Sequence, residues 1–352
     1  MCSFPLRQSI RTLPGVLAPV VASVILAGCG GADAGGTGPP ASTDSASVAT
    51  VVVPSTPDTP APICVVTVEA GDSMIAISDR AGVAPVDIEA ENAIDAAATI
   101  HPGQVFDICV GNNVDDITGA SRIAPPAEAV IVQQTELNQL FATTSLPPLG
   151  VDGDSGSYTR QAICAARMGL GLPVHNGHLT AGSDEEAAIF AATALAIPAG
   201  APTDSAKWIL VDQTCQVIFT GEGSTRVIDV FPTSTGEAGF ETRTVSALAF
   251  RFDPAADNDG WHDSATFPVK GDNPLNGNMY KPLYFNDGQA IHGAGFIPPE
   301  PRSKGCARTY PKHQDAILTW LGLDTATQAT WDPGEIGVNV VVQGRYQDRS
   351  PD

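Results

Sequence analysis

Hydrophobic and polar positions divide the chain into stretches of different period. Residues 13–27 form a largely apolar run broken only by small residues and proline, with Arg7 and Arg11 ahead of it. That order is a targeting segment's, and roughly fifteen residues fall short of the ~20 a spanning helix needs. Residues 30–62 are small, polar and dotted with proline, and the brief valine run at 51–53 does not change that; such a stretch buries too little to order itself and reads as a tether. Residues 64–68 then read as a strand and Gly71-Asp72-Ser73 as a turn with a helix N-cap. Met74, Ile75, Ile77 and Ala81 follow at helical spacing, and a second short helix starts after Pro85 and runs through Val86, Ile88 and Asn92. His101-Pro102-Gly103-Gln104 is a turn, and residues 105–109 are a second strand, completing a β-α-α-β order.

Residues 114–149 form a connector whose one amphipathic piece is 130–141, and residues 158–197 predict two helices around a loop. From Lys207 the period changes to two. Residues 208–212 and 216–219 predict a hairpin whose turn holds Cys215, and residues 226–231 predict a third strand. Further strands are expected over 247–252 and 278–285, an amphipathic helix over 313–321, and a last strand within 331–343, where Ile336, Val338, Val340 and Val342 alternate.

Composition narrows the function classes. The 352 residues include five lysines and carry a formal charge of −21, so nothing resembles the basic surface that exchanges counterions with phosphates, and nucleic acid is excluded as a partner. The acidity is spread along the chain and reads as solubility. His175-x-x-His178 lacks further ligands at useful spacing, and DPAADNDG (253–260) lacks the spacing and terminal glutamate of a calcium loop, so neither a metal nor any other cofactor is expected.

Chemistry concentrates in residues 291–310, IHGAGFIPPEPRSKGCARTY, where His292-Gly293 precedes Ser303-Lys304-Gly305-Cys306-Ala307-Arg308. A thiol with pKa ~8.5 needs a neighbouring base or positive charge to act as a nucleophile near neutral pH. The Gly305 and Cys306 amides are candidates for stabilising an oxyanion. Residues alone therefore give a candidate Cys–His acyl-transfer site; His262 and His313 are expected at the surface, outside it.

The spacing and flanks resemble the catalytic domain of the L,D-transpeptidase (YkuD-type) family, on Ile291, His292, Gly293, Ser303, Gly305, Cys306 and Arg308. Lys304 departs from the family, which usually has a second histidine there, and Thr242-Arg243 stands where Thr-Pro is usual. The resemblance implies a mainly-β domain with Cys306 as nucleophile, His292 as base and the Gly293 carbonyl fixing the imidazole. It also implies substrate contacts at Tyr280, Ser303, Lys304, Gly305 and Arg308, with Ser303 and Arg308 shaping the loop or binding a peptide carboxylate. Residues 64–110 resemble a LysM domain, through Val68-x-x-Gly71-Asp72-Ser73, Asn92 and Ile100-x-Pro102-Gly103-Gln104. That implies a glycan groove between Gly71, Asp72, Ser73 and Met74 on one side and Ile100, His101 and Pro102 on the other. Leu26-Ala27-Gly28-Cys29 resembles a bacterial lipobox, implying lipidation at Cys29.

Seven cysteines fit an exported chain: Cys2 would leave with the signal and Cys29 take lipid, and of the remaining five, four can pair. Counting does not say which four. The domain resemblances make Cys64–Cys109 and Cys164–Cys215 the natural pairs and leave Cys306 free. The expected organisation is multidomain: signal peptide 1–28, tether 29–62, a small α+β (βααβ) LysM module 63–111, connector 112–155, a short helical region 156–200, the mainly-β catalytic domain 206–345 and a tail 346–352. The helical region faintly resembles small peptidoglycan-binding modules, and a cap packed on the catalytic domain is the equal alternative. The whole implies a lipid-anchored enzyme on the outer face of the cytoplasmic membrane, reaching into the wall and cross-linking peptidoglycan stem peptides 3→3 through a cysteine thioester. A wall-binding scaffold without activity, or an L,D-carboxypeptidase or other hydrolytic remodeller, are the alternatives.

Overall fold

The computed structural model describes residues 63–94, 96, 99–263 and 278–347. The expected signal peptide, Cys29, the tether and the end of the tail lie outside the described residues. The first module is built from β1 (Val65–Thr67), α1 (Met74–Ala81), α2 (Pro85–Glu91) and β2 (Val105–Asp107), the expected β-α-α-β order. Ser73 caps α1 by accepting from the Ala76 amide, and Gly82 closes that helix in the left-handed region (φ 71°). The strands pair antiparallel, Val65 opposite Asp107, and the Cys64–Cys109 disulfide closes one end of the ladder. Ile77, Ile88, Val68 and Phe106 fill the small core. Asn92 ties α2 to β2, donating to the Asp107 carbonyl (2.7 Å) and accepting from its amide (2.8 Å).

The connector holds a short hairpin, β3 (Val114–Asp115) with β4 (Ala120–Ser121), and then α3 (Ala127–Leu140). With α4 (Ser157–Leu170) and α5 (Asp184–Ala191), α3 forms a helical layer. The layer covers one face of a five-stranded sheet of order β7-β6-β5-β14-β8. Those strands are β5 (Trp208–Asp212), β6 (Val217–Glu222), β7 (Arg226–Pro232), β8 (Val245–Leu248) and β14 (Asn339–Gln343). A sheet covered on both faces needs apolar residues at successive positions, and β5 supplies them. Trp208 and Leu210 pack under the helices with Leu137, Ile163 and Ile189, while Ile209 and Val211 face the second sheet. Helices of the 156–200 region thus pack on this sheet through Ile163, Cys164 and Ile189. The Cys164–Cys215 disulfide staples α4 to the β5–β6 turn. Arg167, fully buried in α4, donates to the His175, Gly177 and His178 carbonyls and pairs with Glu185 at 2.6 Å.

The second sheet has order β10-β11-β12-β13, with β9 also on β11: β9 (Arg251–Phe252), β10 (Trp261–Asp263), β11 (Asn278–Asn286), β12 (Gln289–Gly293) and β13 (Ala307–Thr309). Its inner face meets the first sheet through Leu283, Phe285, Ile291 and Ala307, closed by Ile317, Leu318 and Leu321 of α6 (Pro311–Leu321). Two expected strands are interrupted. Residues 247–252 divide between β8 and β9, which belong to different sheets. Residues 331–338 begin as a helical turn, α7 (Pro333–Ile336), because Pro333 sits at its first position and Asp332 caps it by accepting from the Gly334 amide.

Candidate active site

Register alone brings the candidate catalytic residues together. In β12 and β13, which run parallel, Ile291 pairs with Ala307 and His292 with Arg308. Successive strand residues alternate faces, so the buried partners Ile291 and Ala307 place His292, Cys306 and Arg308 on the opposite face. Tyr284 pairs with Ala290 and therefore joins that face, where Met279, Tyr284, Ala290 and Cys306 form one apolar cluster flanked by Phe250. Tyr280 pairs with Gly293 and stands on the other face. Its hydroxyl donates to Asp315 of α6 (3.2 Å), and its ring lies against Trp261. The tyrosine on the thiol's face is Tyr284; Tyr280, expected as a substrate contact, stands on the opposite face.

His292 is buried, and its Nδ1–H donates to the Gly293 carbonyl at 3.0 Å, which leaves Nε2 as the acceptor nitrogen. Burial pulls its pKa down to about 4, against the Gly293 hydrogen bond, so the ring is neutral near pH 7. Cys306 is the free cysteine and is 8% exposed. Burial pushes its thiol up, while the Ala290 amide and the Arg308 charge pull it back. Its S–H faces the Gly288 carbonyl at 4.0 Å. The resting pair is therefore neutral thiol and neutral imidazole, diagonal neighbours on one sheet face.

The loop before Cys306 is shaped from within. Ser303 Oγ donates to the Cys306 carbonyl (2.6 Å) and accepts from the Gly305 amide (3.1 Å). Of the two amides expected at an oxyanion, Gly305's is thereby already engaged. Gly305 has φ +110°, and a Cβ there would stand 2.8 Å from Gln289 Nε2. The segment after β7 adds a short strand-like edge: Ser234 bridges Arg308 and Gly236 bridges Ser303. Lys304 turns to this edge, its ammonium paired with Glu237 and 4.1 Å from the Phe240 ring centroid. The Lys304 contact holds the Glu237 carboxyl below its usual value. Arg308 is half-buried, and its desolvated guanidinium lies within electrostatic reach of both Cys306 and Glu237.

Sequence reasoning missed the groups on the β10–β11 side. His262, expected at the surface, is 6% exposed, and its Nδ1 lies 3.3 Å from the Tyr284 hydroxyl and 4.0 Å from Asp253. Arg251 pairs with Asp253 and sits over the Tyr284 ring, 4.7 Å from its centroid. Burial pushes the Tyr284 phenol up to about 12, so it is a hydrogen-bond donor at neutral pH. The parity of β11 against β12 could have selected Tyr284; no pattern marked His262. His313 is also buried, between the Phe231 and Tyr310 rings.

In the first module, Ser73 is committed to capping α1, and Asp72 to Arg80 (2.9 Å) and the Glu69 amide. Gly71 makes the turn at φ +94°, and Met74 packs against the module core. Ile100, His101 and Pro102 line a cleft that Gly71, Asp72, Ser73 and Met74 do not reach. His175 and His178 are buried in the loop between α4 and α5, where His178 Nδ1 and Ser155 Oγ are 2.7 Å apart.

The sandwich thus brings a thiol and an oriented imidazole to one sheet face, at two adjacent parallel strands. Residues 206–342 match the family model of the L,D-transpeptidase catalytic domain (YkuD), and residues 66–108 match that of the LysM domain. The chain carries both domains. Among solved structures it is similar to an L,D-transpeptidase from Xylanimonas cellulosilytica, with 27% identity over 62% of this chain and 94% of that one, at a TM-score of 0.35. It is also similar to one from Stackebrandtia nassauensis, with 19% identity, 64% and 95% coverage and a TM-score of 0.34. A third, from Mycobacterium smegmatis, shares 16% identity over 40% of this chain and 59% of that one, at a TM-score of 0.28. No curated protein matches the chain. Among the described residues, no helix is long and apolar enough to cross a membrane.

Proposed function

We propose that the protein is a peptidoglycan L,D-transpeptidase acting through a Cys306 thioester, held to the wall by its LysM module and to the membrane by lipid on Cys29. The observation that carries the reading is the neutral His292, fixed by the Gly293 carbonyl on the sheet face that bears Cys306. In the reaction, Nε2 of His292 takes the thiol proton as sulfur bonds to the carbonyl carbon of the third residue of a tetrapeptide stem. The tetrahedral adduct collapses with the proton passing from His292 to the departing D-alanine nitrogen, leaving a thioester. A side-chain amine of a neighbouring stem then attacks, loses its proton to His292, and the thiol is restored with a 3→3 amide formed. Water in place of the amine gives the trimmed stem.

Arg308 would receive a peptide carboxylate or carbonyl, a role supported by its register with His292 and its partial burial. Tyr284, protonated and next to the thiol, is a second donor for the acyl group. Lys304 is committed to Glu237 and Phe240, which makes it part of the loop wall rather than a base. The test is intact-protein mass spectrometry after incubation with a carbapenem or a tetrapeptide-stem muropeptide. A covalent adduct is expected in the wild type and in Lys304→Ala, and none in Cys306→Ala. An adduct surviving Cys306→Ala, or none in a folded wild type, would sink the reading.

A further inference from the structure

A cleft of about 800 Å³ lies between the LysM module and the catalytic domain, within the ~300–1,000 Å³ typical of ligand sites. One wall is the LysM helix-to-strand loop, with Ile100, His101 and Pro102. The other is Ala238 together with the segment after β14, Arg345, Tyr346 and Gln347. Ala238 belongs to the loop that supports the nucleophile. The Glu237 amide donates to the Ser303 carbonyl (3.0 Å), and the Glu237 carboxylate holds Lys304, two residues before Cys306. One backbone loop thus separates the cleft from the strand that carries the thiol.

We propose that this cleft is a glycan track, so that the stem peptide reaching Cys306 is drawn from the strand the LysM module holds. The inference rests on the reading above and extends it to the form of the donor. The lining suits an uncharged amino-sugar polymer. Ile100 and Pro102 offer apolar area to sugar C–H faces, the His101 and Tyr346 rings offer flat platforms, and Arg345 and Gln347 offer donors to hydroxyl and acetamido oxygens. The track continues the LysM surface directly onto the catalytic domain, which commits the occupant to what that module binds. Reach agrees. Adjacent strands lie ~4.8 Å apart and three residues span at most ~10 Å, so the thiol lies within about 15 Å of the Gly236 backbone that pairs with Ser303. A stem extended to its third residue covers roughly 10 Å beyond its link to the sugar. The Lys304–Glu237 pair then stiffens the wall that track and active site share.

The test uses the full-length chain with Arg345→Ala, which removes a donor at an exposed position of the cleft, and Tyr346→Ala, which removes a platform. Turnover is compared on glycan-free tetrapeptide and on the same stem carried by a glycan oligomer, with titration by an N-acetylglucosamine hexamer alongside. In both variants kcat/KM on the glycan-borne stem should fall about tenfold and on the free peptide stay within about twofold, with hexamer affinity falling in parallel. Equal effects on both substrates, or unchanged hexamer affinity, would overturn the track. A wild type that turns over neither substrate defeats the transpeptidase reading instead, and the hexamer titration then decides the track by itself.

Discussion

At the scale of single residues, the thiol and the imidazole share one cause for their displaced ionisation. Each is buried among apolar groups, which disfavours the charged form of both: the thiol moves up and the imidazole down, to about 4. The pair therefore rests neutral and works by base-assisted attack, not from a preformed thiolate–imidazolium pair. His292 can accept a proton only while neutral. The low-pH limb of acylation should accordingly fall near pH 4, rather than near the 6.5 of an ordinary histidine, and the rate should keep rising into the alkaline range where the raised thiol ionises. Adduct formation followed by mass from about pH 3.5 to about pH 9.5 reads both limbs; a half-point near 6.5 would show that the ring is solvated in the working state. Gly293 is a second residue-scale test. A Cβ there would lie 2.9 Å from Pro311 Cα and from Tyr280 Cβ, so two backbones must part to admit it. Gly293→Ala should displace the carbonyl that orients His292 and lower the acylation rate by about 10²-fold while binding changes little, a split that kcat against KM measures.

At the scale of elements, what could be read in advance was whatever local chemistry decides. The Ser73 cap, Pro85 at a helix start and the alternation of β1 and β2 gave the small module, and the resemblance it carried placed the disulfide that closes it. Elements decided by packing were less legible. Residues 247–252 alternate well enough to be one strand, but Ala249 and Phe250 carry the chain from one sheet to the other, and only the presence of two sheets says so. The α3 helix was visible as an amphipathic piece, yet its place in the helical layer depends on Leu137 meeting Trp208 and Phe219. The site divides in the same way. His292 and Cys306 carry a motif, whereas Tyr284 joins the thiol's face through the register of β11 with β12, and His262 meets Tyr284 through that of β10 with β11, which no single stretch encodes. The Cys64–Cys109 bridge gives this scale its test. Closing a loop of 45 residues stabilises by about 4 kcal/mol in the chain-entropy description. A module whose core is four buried side chains has little to spare. Replacing both cysteines by alanine should abolish N-acetylglucosamine hexamer binding at about 37 °C and leave carbapenem adduct formation in place; loss of both together would mean that the catalytic domain depends on the module for its fold.

At the scale of the whole molecule, burial of histidine ties the helical layer, the sandwich and the active site to one pH response. His175 and His178 lie in the loop between α4 and α5, His313 sits in α6 against Phe231, and His292 lies in the site; burial lowers each to about 4. All four are depressed below the unfolded value of 6.5. Their contribution to stability is complete above that value and is lost as pH falls from about 6.5 towards 4, because the unfolded chain takes up protons the folded one refuses. Inside the window each histidine removes at most about 1.4 kcal/mol per pH unit, less at His178 and His313 where solvent screens the ring, so the four together keep the slope below about 5 kcal/mol per unit. Chemical denaturation at about pH 7, 6 and 5 measures it. His178→Gln, which keeps a hydrogen-bonding group for Ser155 and cannot protonate, should flatten the slope by up to about a quarter with little change in adduct formation at pH 7. An unchanged slope in that variant would show that the acid response arises elsewhere in the chain.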